Sequence, residues 1–198
     1  MASQLKQIAE ERSALETEIL SRESIKWFMT KMANLKGTSR IPGTIKKEEF
    51  RYTNRFIKGG LFFFYYDPKL KEELPYYDRF PLVLMLERYE DGFLGLNLHY
   101  LPIKYRVAFM NKLMDYARFD EEDNPIRVRI TYDILNATKK FKEFRPCIKR
   151  YLTHHVKSRI LAVEPEEWET AVFLPVHQFK KAKPDKVWRE SVKQIRKP

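Results

Sequence analysis

A metal-dependent nuclease needs two or three carboxylates converging on a divalent ion, usually with a lysine nearby. In this 198-residue chain the candidates are Asp67, Asp78 and Glu87. Asp67 precedes Pro68 and Asp78 follows a pair of tyrosines, contexts in which an aspartate caps a turn. A zinc site needs four ligands drawn from histidine and cysteine. His99, His154, His155, His177 and the single Cys147 stand at no recognisable ligand spacing. Cys147 follows Pro146 at a predicted helix start, where a thiolate is favoured, yet no histidine sits at a telling distance, and a buried structural thiol is the better reading. Phosphate-cradling glycine motifs are absent, since Gly92-Phe93-Leu94-Gly95 reads as a turn followed by a strand glycine. The expectation is a protein that is not an enzyme, with no metal, no cofactor and no small-molecule substrate.

Binding chemistry is better represented. Tyr65, Tyr66, Tyr76, Tyr77 and Phe80 cluster in sequence beside Lys69 and Arg79. Such rings either fill a core and its rim or stack on exposed bases, the latter worth roughly 1–3 kcal/mol per base. The formal net charge is +11, and the charge is segregated. Acids dominate the first 24 residues. Lys139, Lys140, Lys142, Arg145, Lys149, Arg150, Lys157 and Arg159 face only Glu143 among the acids of their stretch, and residues 180–198 add eight more cations. A segregated basic surface is the electrostatic footprint of a polyanion partner. An acidic protein surface, or no specific partner, are the competing readings. No apolar run approaches the roughly 18 residues of a membrane helix, and the N-terminus lacks the layout of a signal peptide. A single cysteine suits a reducing cytoplasm.

These side chains must be positioned by the stretch from Gly60 to Pro102, which is dense in aromatic residues. It predicts three strands, Leu61 to Tyr66, Phe80 to Tyr89 and Phe93 to Leu101. Asp67-Pro68 stops the first, because proline lacks an N–H. Glu90-Asp91-Gly92 forms a hairpin turn in which Gly92 supplies a positive φ. In the third strand Phe93, Gly95, Asn97 and His99 share one face, and Leu94, Leu96, Leu98 and Tyr100 the other. Pro102 opens a helix to about Ala117, with Ile103, Val107, Met110, Leu113 and Met114 as its buried stripe. Further along, a strand is expected at Ile126–Ile130, a helix from Thr131 or Asp133 to Lys140, and a basic helix from Pro146 to Val156. Two more strands are expected at Arg159–Val163 and Thr170–Leu174, with a tail that turns helical from Pro184. Residues 1–36 read as a helical arm, 37–59 as a basic connector, 60–179 as the core domain and 180–198 as a basic tail. The fold class is α+β: a small SH3-like β-barrel with inserted helices, an N-terminal helical extension and a basic C-terminal tail.

The string YYDPKLKEELPYYDRFPLVLMLERYEDGFLGLNLHYLP, and the later RPCIKRYLTHHVKSRILAVEPEEWETAVFLP, resemble virion proteins of T-even-type tailed phages, and most closely the DNA end protector family. The resemblance covers roughly residues 60–180. It implies a virion protein, assembled in the host cytoplasm, that binds double-stranded DNA ends at the portal or neck and shields them from host exonuclease. It brings no catalytic residues. On this reading Lys139, Lys140, Lys142, Arg145, Lys149, Arg150, Lys157 and Arg159 hold phosphates, while Tyr76, Tyr77 and Arg79 face the terminal base pair. Other virion proteins of the portal, neck or tail are expected partners, and no membrane. The alternative is a structural adaptor of the neck, tail or baseplate with no direct DNA role. A third reading, a nuclease of the toxin endoribonuclease type suggested by Arg79–Val83, lacks the acid–base constellation it needs.

Overall fold

The computed structural model describes residues 22, 25–26, 58–116, 118–119, 128–129, 142–158, 160–163, 167–174 and 176–196. Nine strands are described: β1 Leu61–Phe63, β2 Tyr77–Asp78, β3 Leu82–Arg88, β4 Gly92–Asn97, β5 Arg118–Phe119, β6 Val128–Arg129, β7 Ile148–Leu152, β8 Leu161–Val163 and β9 Phe179–Lys180. The helices are α1 Ile103–Tyr116, α2 Trp168–Val172 and α3 Pro184–Arg196, with 3-10 turns at Leu98–Tyr100, Lys142–Cys147 and Thr153–His155. The fold is α+β. Five strands form one antiparallel sheet in the order β7-β4-β3-β1-β8, and β2 pairs with β9 and β5 with β6 in small ladders of their own.

The expected SH3-like barrel is not closed. Closure requires every strand to find a partner on both sides, and β7 and β8 remain the two edges of an open sheet. β7 and β8 do not pair with each other, and among the described residues the chain adds only one isolated bridge, Tyr66 to Val156, beyond the three-residue β1.

Successive side chains of a strand point to opposite faces, and here both faces are apolar. Leu61 and Phe63 of β1 join Leu82, Leu84, Leu86 and Leu96 in a core shared with Val107 and Met110 of α1 and Trp168 of α2. Phe62, Phe64 and Tyr66 join Val83, Met85, Phe93 and Tyr151 in a second cluster on the other face. The run LFFFYY is continuous rather than alternating because each of its faces has a core to fill. In the second cluster the Phe64 ring meets Phe93 and Tyr151 edge-on at centroid distances of 5.6 and 5.2 Å. Such pairs add about 0.5–1.5 kcal/mol beyond burial.

Helix α1 starts directly after Pro102, as expected, and its Val107, Met110 and Leu113 are buried. Four other expectations are corrected. Gly92 does not have a positive φ; among the described glycines only Gly59 does, at 81°. Gly92 is needed because a Cβ there would stand 1.9 Å from the Tyr151 carbonyl oxygen across the β4–β7 ladder. The basic helix from Pro146 to Val156 is instead a 3-10 turn, then β7, then a second 3-10 turn. The open edge of β4 supplies β7 with a hydrogen-bonded ladder from Leu96–Ile148 to Gly92–Leu152, and a tertiary partner of this kind overrides weak local propensity. The strand expected at Thr170–Leu174 is the end of α2, where Trp168, Ala171 and Val172 are buried at i, i+3 and i+4, the spacing of a helix face. The third strand stops at Asn97, whose side chain accepts from the His99 N–H and turns the chain into a 3-10 helix. Arg22, Ile25 and Lys26 are helical. The rest of the N-terminal arm, the connector up to residue 57 and the helix expected up to Lys140 lie outside the described residues.

Candidate nucleic-acid interface

The three carboxylates do not converge. Asp67 pairs with Lys71 one helical turn later at 3.1 Å, and Glu87 accepts from the Tyr89 hydroxyl at 3.2 Å. Among the described residues no three His, Cys, Asp or Glu side chains gather in a way that could hold a metal ion. Asp78 is the organising group of a buried polar cluster. Its carboxylate accepts from the backbone N–H groups of Phe80 and Gln178, both at 3.0 Å, from the Asn97 amide and from His99 Nδ1 at 2.6 Å. The guanidinium of Arg106, fully buried on α1, donates to the carbonyls of Leu101, His99 and Leu174. Trp188 of α3 donates to the same His99 carbonyl at 2.9 Å, and the His177 ring meets both His99 and Trp188 edge-on.

Burial alone would raise the Asp78 carboxyl, but His99 and the two backbone donors outweigh it, and the net shift is downward. Burial pulls His99 down by more than Asp78 lifts it. Burial, helped by His99 and Arg106, brings His177 to about 3. Burial also lowers Arg106 to about 9, leaving it a cation at neutral pH. Asp78 and Arg106 are therefore opposite buried charges linked through His99, whose ring meets the Asp78 carboxylate and whose backbone carbonyl accepts from Arg106. The His99 and Asp78 side chains are 0% and 1% exposed, so no substrate reaches the pair, and its role is to join α1, α3 and the β2–β9 ladder.

This cluster carries a pH dependence. In the unfolded chain each histidine takes up a proton near its ordinary 6.5, whereas His177 in the fold resists protonation down to about 3. The unfolded state thus binds more protons in this window, and stability falls as pH drops. The lowered Asp78 adds a further loss below its ordinary 3.8. The urea midpoint should be highest above pH 7 and fall steadily from pH 6.5 toward 4. His177→Gln should make that decline shallower across the whole window, since the His177 contribution runs from 6.5 down to about 3. An unchanged midpoint from pH 7 to 4 would contradict this assignment.

The cations expected to hold phosphate are dispersed. Lys139, Lys140, Arg159 and the side chain of Lys142 lie outside the described residues. Arg145 is exposed on the 3-10 turn that packs against α3. Lys149 and Arg150 follow one another on β7 and leave opposite sides of the strand. The Lys149 ammonium lies 4.2 Å from the Tyr100 ring centroid, where burial lowers its pKa. Arg150 is ion-paired with Asp91 and stacks over Tyr89 at 4.0 Å. Lys157 donates to the His154 carbonyl. The expected end-facing group is also used within the fold. Tyr76 is half-buried between Tyr100 and Phe179, and burial together with its bond to Glu190 lifts its hydroxyl to about 12. Tyr77 is half-buried in β2, and Arg79 lies over the Tyr65 ring at 4.6 Å. Cys147 is buried, and its thiol is pushed up to about 12 by burial, against the activated thiolate that a helix start would favour.

A more regular basic surface lies on α3. Its inner face buries Val187 and Ser191 completely, and Trp188 and Ile195 partly. Lys186, Arg189 and Lys193 are exposed at i, i+3 and i+7, on the opposite side of the helix, with Lys183 exposed just before its start. Sequence reasoning counts these residues as charge but not as a face. Their spacing is the signal that places them together once Pro184 is taken as a helix start.

The family model for the phage T4 terminal DNA protecting protein matches residues 2–192. No curated protein and no solved structure matches the chain.

Proposed function

Because the chain belongs to the family of the phage T4 terminal DNA protecting protein, we propose that it caps double-stranded DNA termini at the portal or neck of the particle. The protein is virion-associated and protects DNA ends. The family match across residues 2–192 is the observation that carries this reading. The net charge of +11 gives it a physical basis, since neutralising phosphates supplies sequence-independent affinity. Protection comes from steric occupation of the end rather than from chemistry on DNA. The protein joins the particle during assembly in the host cytoplasm and touches portal, neck or tail proteins there. Arg145, exposed and without a carboxylate partner among the described residues, and Lys157, whose ammonium meets only the His154 carbonyl, are the described members of the expected phosphate set that keep their charge for a ligand. Arg150 and Lys149 contribute less, because their charges already serve Asp91, Tyr89 and Tyr100.

The test is a titration of linear and closed circular DNA of one sequence at two salt concentrations, followed by a processive exonuclease. Preference for the linear form, weakened by salt, with slowed digestion from the ends, is the expected result. Equal affinity for both forms would remove the end preference, and undiminished digestion would remove protection.

A further inference from the structure

We propose that the outer face of α3, formed by Lys186, Arg189 and Lys193 with Lys183 at its start, grips the phosphate backbone of one strand of duplex DNA. This rests on the end-protection reading and names the surface that performs it.

Three observations support it. The first is unspent charge. Among the described residues no carboxylate pairs with these four cations, and Arg189 makes only a bond to the Asp185 carbonyl of its own helix. Glu190 of the same helix is turned to the Tyr76 hydroxyl. By contrast Lys71 and Arg150 each have an acid partner. The second is rigidity. Val187 and Ser191 anchor the opposite face, Trp188 is hydrogen-bonded to the His99 carbonyl, and Lys181, just upstream, donates to the carbonyls of Glu72 and Leu74. A cationic row on a docked helix gives up less freedom on binding than one on an unanchored segment. The third is spacing. A helix rises 1.5 Å per residue, so the row from Lys186 to Lys193 is about 10 Å long, comparable with the three axial steps of roughly 3.4 Å that separate four successive phosphates of one strand.

The test compares three full-length proteins on a blunt-ended duplex, reading affinity by fluorescence anisotropy between 50 and 200 mM salt and end protection by exonuclease digestion. The stripe variant carries K186Q, R189Q and K193Q. A control carries K69Q, K71Q and K104Q, which removes the same charge elsewhere. Glutamine keeps helix propensity close to that of lysine and arginine, and thermal melting checks that each variant folds. The stripe variant should lose about two to three from the slope of log affinity against log salt, with at least a tenfold loss of affinity and a matching loss of protection. The control should keep the wild-type slope, and K186R with K193R should also keep it. A stripe variant that retains wild-type slope and protection overturns this proposal and leaves end protection standing. A wild-type protein that neither binds nor protects ends overturns both.

Discussion

Asp78→Ala is expected to cost about 3–5 kcal/mol of folding stability, the range for leaving a buried charge without its partner. The substitution strips four donors of their acceptor: the Phe80 and Gln178 N–H groups, the Asn97 amide and the His99 ring. It also removes the anion that opposes the buried Arg106 guanidinium. Neither loss can be repaired by water in a cluster this closed, and each unsatisfied donor costs about 1–3 kcal/mol. Asp78→Asn keeps an acceptor oxygen but not the charge, so it should fall between the wild type and the alanine variant. Urea denaturation at pH 7.5 measures this, and the melting temperature should drop by roughly 6–20 °C, at about 2–4 °C per kcal/mol for a chain of this size. The damage should reach α3, because the His99 carbonyl anchors Trp188. An alanine variant within 1 kcal/mol of the wild type would mean that the Arg106 charge is balanced elsewhere.

Gly92→Ala is the second large effect, expected at about 2–3 kcal/mol. The added carbon would meet the Tyr151 carbonyl oxygen at 1.9 Å and the Leu152 Cα at 3.0 Å, both backbone atoms of β7, so relief requires the ladder itself to move. Overpacking of this kind costs typically 1–3 kcal/mol. Gly95→Ala should cost somewhat less, because its closest neighbour is the Cγ1 of the buried Val83, a side-chain atom, rather than the backbone of the partner strand. Asparagine separates the two explanations for Gly92. In a hairpin position of positive φ, asparagine is well tolerated, whereas a backbone collision makes Gly92→Asn at least as damaging as Gly92→Ala. Thermal or urea unfolding of the three variants decides between them. A mild Gly92→Asn would restore the turn explanation.

Some of this fold can be read locally. The strands β1 and β3 lie within the expected segments and β4 overlaps its own, because runs such as LFFFYY and LVLML are too apolar to be exposed and too short for helices of a core. Pro102 and the stripe after it placed α1. The α2 helix was equally readable, since Trp168, Ala171 and Val172 have helical spacing, but Val172 and Phe173 also favour strands and mask it. The segment from Ile148 to Leu152 could not be decided locally. Its residues accept either state, and only the unpaired edge of β4 selects a strand.

The candidate interface divides in the same way. The excess of cations and their segregation are properties of composition and order that point to a polyanion partner, and the family-specific strings add, by resemblance, that this partner is a DNA end, all without a coordinate. Which cations are available is a tertiary property. Arg150 is spent on Asp91, 59 residues away, and Asp78 is held by His99 and Gln178, at separations of 21 and 100. Such pairings depend on how the chain doubles back, which no local spacing encodes. The row on α3 shows both contributions at once. Its i, i+3, i+7 spacing is written in the sequence, but its outward orientation is set only when Val187, Trp188 and Ser191 commit the opposite face to the core, because burying apolar surface is what fixes the rotation of an amphipathic helix.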